Sequence, residues 1–441
     1  MKLLLKPQGQ PRVERLLELD FARVSPDSDY WTARGRLDGL ESDTRYSVQE
    51  VRSGAPKVAA MFRTLPGRLP NPSSGSGLSL LLGSCFSIET GKGARLGDAV
   101  RSLSADLFPH VKLLCGDQVY LDLPVTEDLP QSLPKLRRKL LRKYLDNWHH
   151  DMTPLGNGFG AFLSLGSNVF TADDHEFWNN FPVKQAHLPI TWRPTGRRRY
   201  EQAAKELFRC FQSDYQPDPE TGVAGVQSVT IGEPGEVGSF ELKALDGRFF
   251  RDSDFDRAHL EEDLDHVVDW LENLKQPGAL VLSQPLFDEP AGWLRRKFVD
   301  AWLANYKDYA PLVKALNRAP HDVLLLSGDI HHARYAVARG SSSRGNALHE
   351  VVSSPLSRIP GKHGYGPAHK RFPDPDVRGV TSRGVRTRLR GAFCKDHFAT
   401  LKLNSLGCSV QVSVTYWGMD SATGAAIRPE AERRFTLNYT I

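Results

Sequence analysis

HVKLLCGDQVY, residues His110 to Tyr120, is the stretch from which the rest of the chain can be read. Val111 to Cys115 is a run of apolar or aliphatic-stemmed residues, closed by Gly116 and followed at once by Asp117. A short run of that kind ended by glycine reads as a strand covered on both faces. Period alone does not separate helix from strand over so few residues, so shortness and Gly116 decide. The pattern recurs. SLSLLLGSC ends at Cys85, SNVFTADDHE delivers Asp173, Asp174 and His175, and DVLLLSGDIHH delivers Asp329, His331 and His332. Helical segments separate most of these runs, which predicts an α/β fold. In open α/β sheets ligands sit outside the carboxyl ends of the strands, so the four clusters should converge on one site.

The chain has 441 residues, enough for a large core and two to three domains. With 40% hydrophobic and 25% charged residues it belongs to neither the disordered nor the membrane class. Five cysteines, Cys85, Cys115, Cys210, Cys394 and Cys408, are widely spaced with no C-x-x-C. That is no disulfide framework and suits a reducing compartment. MKLLLKPQGQ has three apolar residues between lysines, far short of a signal-peptide core, and no run approaches the length of a membrane span. A cytoplasmic protein is expected. The net charge of +5 is mild, but basic residues gather in LPKLRRKLLRK (133–143), in RPTGRRR (193–199) and after residue 357. Such clusters favour anionic substrates or partners, nucleic acid among them, and equally describe solvated helix and loop faces.

Taken in order, residues 1–68 alternate in the manner of strands and predict a small all-β domain; 69–77 is a linker by composition, and 78–441 a catalytic domain. Leu133 to His149 carries Leu136, Leu140, Leu141, Tyr144, Leu145 and Trp148 at near-helical spacing, a core stripe under a basic outer face. Ala203 to Phe211 predicts a helix, followed by a Pro-, Gly- and Glu-rich excursion to Gly238. A strand then ends at Asp246-Gly247-Arg248, and Asp256 is expected to cap a helix through Leu274. ALVLSQPLF (279–287) predicts a strand, Trp293 to Tyr306 an amphipathic helix, and 357–393 a long basic loop. Three alternating strands close the chain: HFATLKL, CSVQVSVTYWG and RRFTLNYTI.

Each cluster has a plain reading beside the chemical one. Asp117 could cap a helix, Asp173 to Glu176 could be a solvated loop, and Cys85 alone could be a small buried hydrophobe. Their coincidence at strand ends favours chemistry. One thiolate, three carboxylates and an imidazole suit metals of mixed softness. Cys85 and His331 favour iron or zinc; Asp117, Asp174 and Asp329 would also hold calcium, manganese or magnesium. A dinuclear centre with a bridging carboxylate is the usual device for attack at phosphorus, and Asp117 is the natural bridge. Tyr120 could reach the same ion as a phenolate or simply pack. G-x-S-x-G, H-E-x-x-H, G-x-x-x-x-G-K-[ST] and G-x-G-x-x-G are all missing from the sequence.

Gly-Ser-Cys85, Gly-Asp117-Gln-Val-Tyr120, Asp-Asp174-His175-Glu176 with Asn179-Asn180, Asp246-Gly-Arg248 and Ser-Gly-Asp329-Ile-His331 resemble, in this order, the alkaline phosphatase D-like branch of the calcineurin-like metallophosphoesterases. The resemblance covers roughly 78–356 and implies a four-layer α/β/β/α sandwich preceded by a small immunoglobulin- or fibronectin-like β domain. It implies hydrolysis of a phosphate ester, mono- or diester, by a metal-bound hydroxide at a centre of Fe(3+) and Ca(2+), with Mn(2+) or Zn(2+) as alternatives. Cys85, Asp117, Tyr120, Asp174, Asp329 and His331 occupy the ligand positions. Asp174 is chosen over Asp173 because it directly precedes the histidine. His175 takes the place of the general acid, and Arg248 that of the group stabilising charge on the phosphoryl oxygens. Two departures stand out: there is no twin-arginine signal, and Asp-Gly-Arg replaces the usual Asp-Thr-Arg. A nuclease, or a non-catalytic metal-containing binding protein, are the alternative functions.

Overall fold

Alternate residues of the buried strands enter different cores, and this sorts the molecule into layers. The computed structural model describes residues 2–8, 15–51, 57–91, 95–152, 155–288, 302–339, 345–357, 371–372, 383–387, 395–419 and 427–439. At the N-terminus lie β1 (Lys2–Pro7), β2 (Arg15–Leu16), β3 (Asp20–Arg23), β4 (Trp31–Arg34), β5 (Arg45–Val51) and β6 (Lys57–Arg63). They form an antiparallel sheet in the order β2-β1-β5-β6 and a separate β3-β4 hairpin, the small all-β module that was expected. Strand β1 was not foreseen, because its three leucines between lysines hide the alternation that pairing with β5 supplies. The module is seated on the larger part. Gly166 N–H donates to the Met61 carbonyl at 2.7 Å, and Asp43 Oδ1 lies 3.0 Å from His110 Nε2. Leu69, in the expected linker, is itself buried against the core.

The larger part begins with β7 (Leu78–Gly83), α1 (Ile88–Gly91), α2 (Leu96–Arg101), β8 (Val111–Cys115), α3 (Leu133–Trp148), α4 (Phe159–Ser164) and β9 (Ser167–Thr171). It continues through α5 (Pro194–Phe211), β10 (Val226–Ile231), β11 (Phe240–Leu245), α6 (Glu261–Glu272), β12 (Gly278–Val281), α7 (Tyr309–Arg318) and β13 (Val323–Ser327). Last come β14 (Arg334–Arg339), β15 (Ala347–Val352), β16 (Arg371–Phe372), β17 (Arg383–Thr387), β18 (His397–Ser405), β19 (Ser409–Gly418) and β20 (Arg428–Asn438). One sheet has the order β20-β19-β18-β7-β8-β9, with β7, β8 and β9 parallel. The other has the order β10-β11-β12-β13-β15-β14-β17-β16, with β11, β12, β13 and β15 parallel.

Leu80, Leu82, Val111 and Leu113 from the first sheet meet Leu242, Val281, Leu324 and Leu326 from the second. The intervening residues point outward: Leu81, Leu114 and Phe170 onto α2 and α4, Leu280, Val323 and Leu325 onto α6 and α7. Period-two burial on both faces makes a helix, sheet, sheet, helix sandwich. Lys112 sits in β8 with its side chain on the helix side and is fully buried. Its ammonium donates to the carbonyls of Phe162 (2.7 Å), Gly166 (3.2 Å) and Leu165, capping the end of α4. Burial alone pushes its pKa well below the usual lysine range.

Several element boundaries differ from expectation. Helix α5 starts nine residues earlier than Ala203, because Pro194 occupies its first turn and RPTGRRR continues into it. The Gly-rich excursion contains β10, whose alternation pairs it with β11. Asp256 does not cap α6: Leu260 is the N-cap residue, and Asp256 instead pairs with Lys307 at 2.5 Å. The 279–287 strand ends at Val281, after which Gln284 turns toward Asp329. Helix α7 was missed. Of the helix expected over Trp293 to Tyr306, 293–301 lie outside the described residues, and Leu303–Asn305 is a single 3-10 turn. Most of 357–393 also lies outside them, but β16 and β17 extend the second sheet from within that loop.

His397 opens β18 with its side chain wholly buried and Nδ1 2.7 Å from the Lys395 carbonyl. Burial pushes its pKa down to about 4. An unfolded histidine takes up its proton near pH 6.5, so the folded state loses stability as pH falls from there toward 4. The loss should be on the order of 3 kcal/mol. Urea midpoints measured from pH 7 to 4.5 should fall less steeply for His397→Gln than for the parent; parallel profiles would refute the assignment.

Candidate metal centre

Four chemical residues stand two positions past a strand end: Cys85 after β7, Asp117 after β8, Asp173 after β9 and Asp329 after β13. Parallel strands within each sheet carry these ends to one side of the sandwich. The turns that follow are unusual. Of eight non-glycine residues with positive φ among the described residues, Cys85 (59°), Asp117 (57°), Asn180 (63°), Asp329 (67°) and His331 (55°) belong to this site. Left-handed backbone at cysteine and histidine is costly and gathers where structure serves a function. Gly116 has φ 80°, and a Cβ there would lie 2.3 Å from the Asp173 Cβ. Gly116→Ala should therefore cost about 2–4 kcal/mol and force the Asp117 and Asp173 loops apart. A urea midpoint unchanged from the parent would refute that packing.

The turns bring the predicted residues together in three overlapping groups: Cys85 with Asp117 and His331, Asp117 with Asp174 and His175, and Asp117 with Asp173 and Asp329. Within each group the candidate ligand atoms lie no more than 4.8 Å apart, and Asp117 belongs to all three. Asp117 Oδ2 is 3.4 Å from Cys85 Sγ and accepts from Tyr120 Oη at 3.3 Å. Asp117 Oδ1 accepts from the His175 N–H at 3.1 Å. Both aspartates of the Asp173-Asp174 pair face the centre. Arg248 is nearly wholly buried, with Nε and Nη2 on Asp173 Oδ1 at 2.7 and 2.6 Å and Nη1 on the Phe181 carbonyl at 2.9 Å.

Burial among like charges raises the pKa values of Asp173, Asp329, Cys85 and Tyr120. Burial, then Asp174 and Asp117, push Asp173 up to about 7 against the pull of Arg248. Burial, then Asp173, Asp174 and Asp117, push Asp329 well above the carboxylate range, and burial with Asp117 pushes the Cys85 thiol and the Tyr120 phenol well above their own ordinary values. A bound cation is the charge that reverses all of these shifts at once. Asp173 Oδ2 and Asn180 Oδ1 are buried and have no hydrogen-bond partner among the described residues. These residues fit a metal group. A soft thiol and an imidazole join Asp117 in one group, whereas Asp117 with Asp173 and Asp329 is an all-oxygen group, so two unlike ions would be suited.

Around the centre, Asp122 and Gln284 escaped the sequence, while Glu176 and Asp246 stood in its motifs with no role attached. Asp122 Oδ1 is 2.7 Å from His175 Nδ1, and its Oδ2 accepts from the Asn179 N–H at 2.9 Å. Burial would lower the His175 pKa, but Asp122, Asp174 and Asp117 raise it to about 10. Glu176 is fully buried and accepts from the backbone N–H groups of Asp117 (2.8 Å), Gln118 (2.6 Å) and Asp173 (2.9 Å). It thus staples two loops. Asp246 accepts from the N–H groups of Ala172 (2.8 Å) and Arg248 (2.9 Å), which holds the Arg248 loop against the end of β9. Gln284 donates to Asp329 Oδ2 at 3.2 Å. The acidic cluster at 173–176 was the one hint in the sequence, and it concerned Glu176 alone; partner and direction are matters of folding.

No family model and no curated protein matches the sequence. Solved structures do match. PhoD, an alkaline phosphatase D, aligns over 100% of this chain and 84% of its own, with a TM-score of 0.64 at 14% identity. A purple acid phosphatase from yellow lupin (Lupinus luteus) seeds aligns over 99% of this chain and 68% of its own, with a TM-score of 0.51 at 11% identity. The chain shares the fold of these two phosphatases, as the motif order led one to expect.

Proposed function

We propose that the chain is a metal-dependent phosphoester hydrolase of the alkaline phosphatase D-like kind. The observation that carries the proposal is the place of Asp117, itself buried, at the intersection of three ligand groups. In this reading Cys85, Asp117, Tyr120 and His331 hold one ion, and Asp117, Asp174 and Asp329 a second, with Asp173 and Asn180 as further oxygen donors. Fe(3+) and Ca(2+) match the two donor sets; Mn(2+) or Zn(2+) are the substitutes to test. Bound there, the metals supply charge neutralisation at phosphorus and an acidified water. The chain's own residues do the rest. His175, held by Asp122, donates a proton to the departing oxygen. Arg248 keeps Asp173 in register and adds positive charge behind it, so its part is positioning, with contact to a phosphoryl oxygen requiring it to release Asp173 or Phe181. The division into 1–68, a 69–77 linker and 78–441 belongs to the same reading. The four described cysteines are free, which supports a reducing, cytoplasmic setting.

The test is side-by-side turnover of bis-p-nitrophenyl phosphate and p-nitrophenyl phosphate, with metal content measured on the same preparation. Turnover of either that is lost in chelator and regained with iron and calcium supports the proposal. A protein loaded with metal and inert toward both would sink it.

A further inference from the structure

Helix α3 carries six cations: Lys135, Arg137, Arg138, Lys139, Arg142 and Lys143. Three are neutralised. Arg137 meets Glu206 at 2.6 Å and Asp27 at 3.2 Å, Lys139 meets Glu127 at 3.0 Å, and Lys143 pairs with the same glutamate. Arg138 and Arg142 are exposed, four residues apart on one face, and neither has an ion-pair partner among the described residues. Both line a cleft of about 580 Å³ whose wall includes Tyr120 and Ser87. Tyr120 is the phenol that donates to Asp117 Oδ2, and Ser87 stands two residues beyond Cys85. The cleft and the metal centre therefore share a side chain. Glu89 and Asp146 also border the cleft but pair with neither arginine, so both guanidinium groups stay open to a ligand.

We infer that this cleft is a phosphate subsite, in which Arg138 and Arg142 receive a second phosphate of the substrate, next to the ester that is cut. Paired lysines beside open arginines suit this use, because a guanidinium offers phosphate oxygens a two-point fit that an ammonium does not. The inference rests on the phosphoesterase reading and adds a substrate feature that reading does not require: two phosphates close together.

The probes are thymidylyl-thymidine (TpT) and the same dinucleotide with a terminal phosphate at either end (pTpT, TpTp). With iron and calcium bound, the parent protein should cut one of the two longer probes with kcat/KM about tenfold above TpT, the gain lying in KM. The Arg138→Ala/Arg142→Ala double variant should lose that advantage. Arg198→Ala, an exposed arginine on α5 that does not line the cleft, should keep it. Replacing the nucleosides by propanediol linkers should also keep it, since phosphate and not base is what the arginines read. A parent ratio near one, a ratio that survives the double variant, or an advantage lost with the linkers overturns the subsite. If the parent cuts none of the probes, the phosphoesterase reading fails separately, and calorimetry with thymidine 3′,5′-bisphosphate in chelator decides the subsite. Binding weakened about tenfold by the double variant sustains it; equal binding, or none in either protein, removes it.

Discussion

Asp117→Asn is expected to lower phosphoesterase turnover by at least about a thousandfold and to reduce bound metal from two ions per chain to one or none. Asparagine keeps the shape and can still accept the His175 N–H that Asp117 Oδ1 accepts at 3.1 Å, so local folding should survive. What it removes is the one carboxylate common to all three ligand groups. The stability readout separates this from simple damage. In chelator, Asp117, Asp173, Asp174 and Asp329 repel one another in a buried space, and Asp173 and Asp329 are both pushed up partly by Asp117. Deleting that charge should leave the chelated variant melting at or above the parent, while metal stabilises the parent far more than the variant. Full activity in metal-defined buffer, or a variant that melts well below the parent in chelator, would refute the bridging role.

His175→Asn should produce an effect that depends on the leaving group. For an alkyl ester, whose departing oxygen needs a proton, the loss should be about 10² to 10³ in kcat. For a p-nitrophenyl ester, whose leaving group departs readily as an anion, it should be about tenfold or less. The geometry behind this is the 2.7 Å contact from Nδ1 to Asp122, which leaves Nε2 as the atom able to serve the substrate. Asp122 also sustains the protonated imidazole, since its charge is the largest of those that raise the His175 pKa to about 10. Asp122→Asn should accordingly copy the leaving-group pattern of His175→Asn at smaller amplitude. Equal losses for alkyl and p-nitrophenyl esters would mean that His175 positions Asp117 or the substrate and does not move a proton.

Much of the fold was legible before any coordinates because β7, β8, β9 and β13 each carry a local signature, an apolar run stopped by a turn with an ionisable residue beyond it. The terminal strands β19 and β20 were legible for the opposite reason: one face is less buried, so apolar and polar residues alternate. Helix α7 and strand β10 were not. Pro311 and the short length of YAPLVKALNR obscure its period, and β10 lies among Pro and Gly residues that otherwise mark loops. The capping role given to Asp256 failed because an acid before a helix is equally able to pair with a lysine brought near by folding.

By itself the sequence determined which groups would serve and in what order they would arrive: a thiol, three aspartate clusters and the histidines, each at the end of a strand. Residue type and strand period are local properties, and local properties survive in one dimension. Only the tertiary structure decided that Asp117 is shared by three ligand groups, that Asp122 holds His175, and that Glu176 pins the loops of Asp117 and Asp173. It also decided that Arg248 is spent on Asp173, and that two of the six cations on α3 stand open beside Tyr120. These are distances between residues far apart in the chain. They follow from the left-handed turns after each strand and from two sheets packing face to face, and burial, which removes the water that would otherwise screen them, gives the resulting charges their strength.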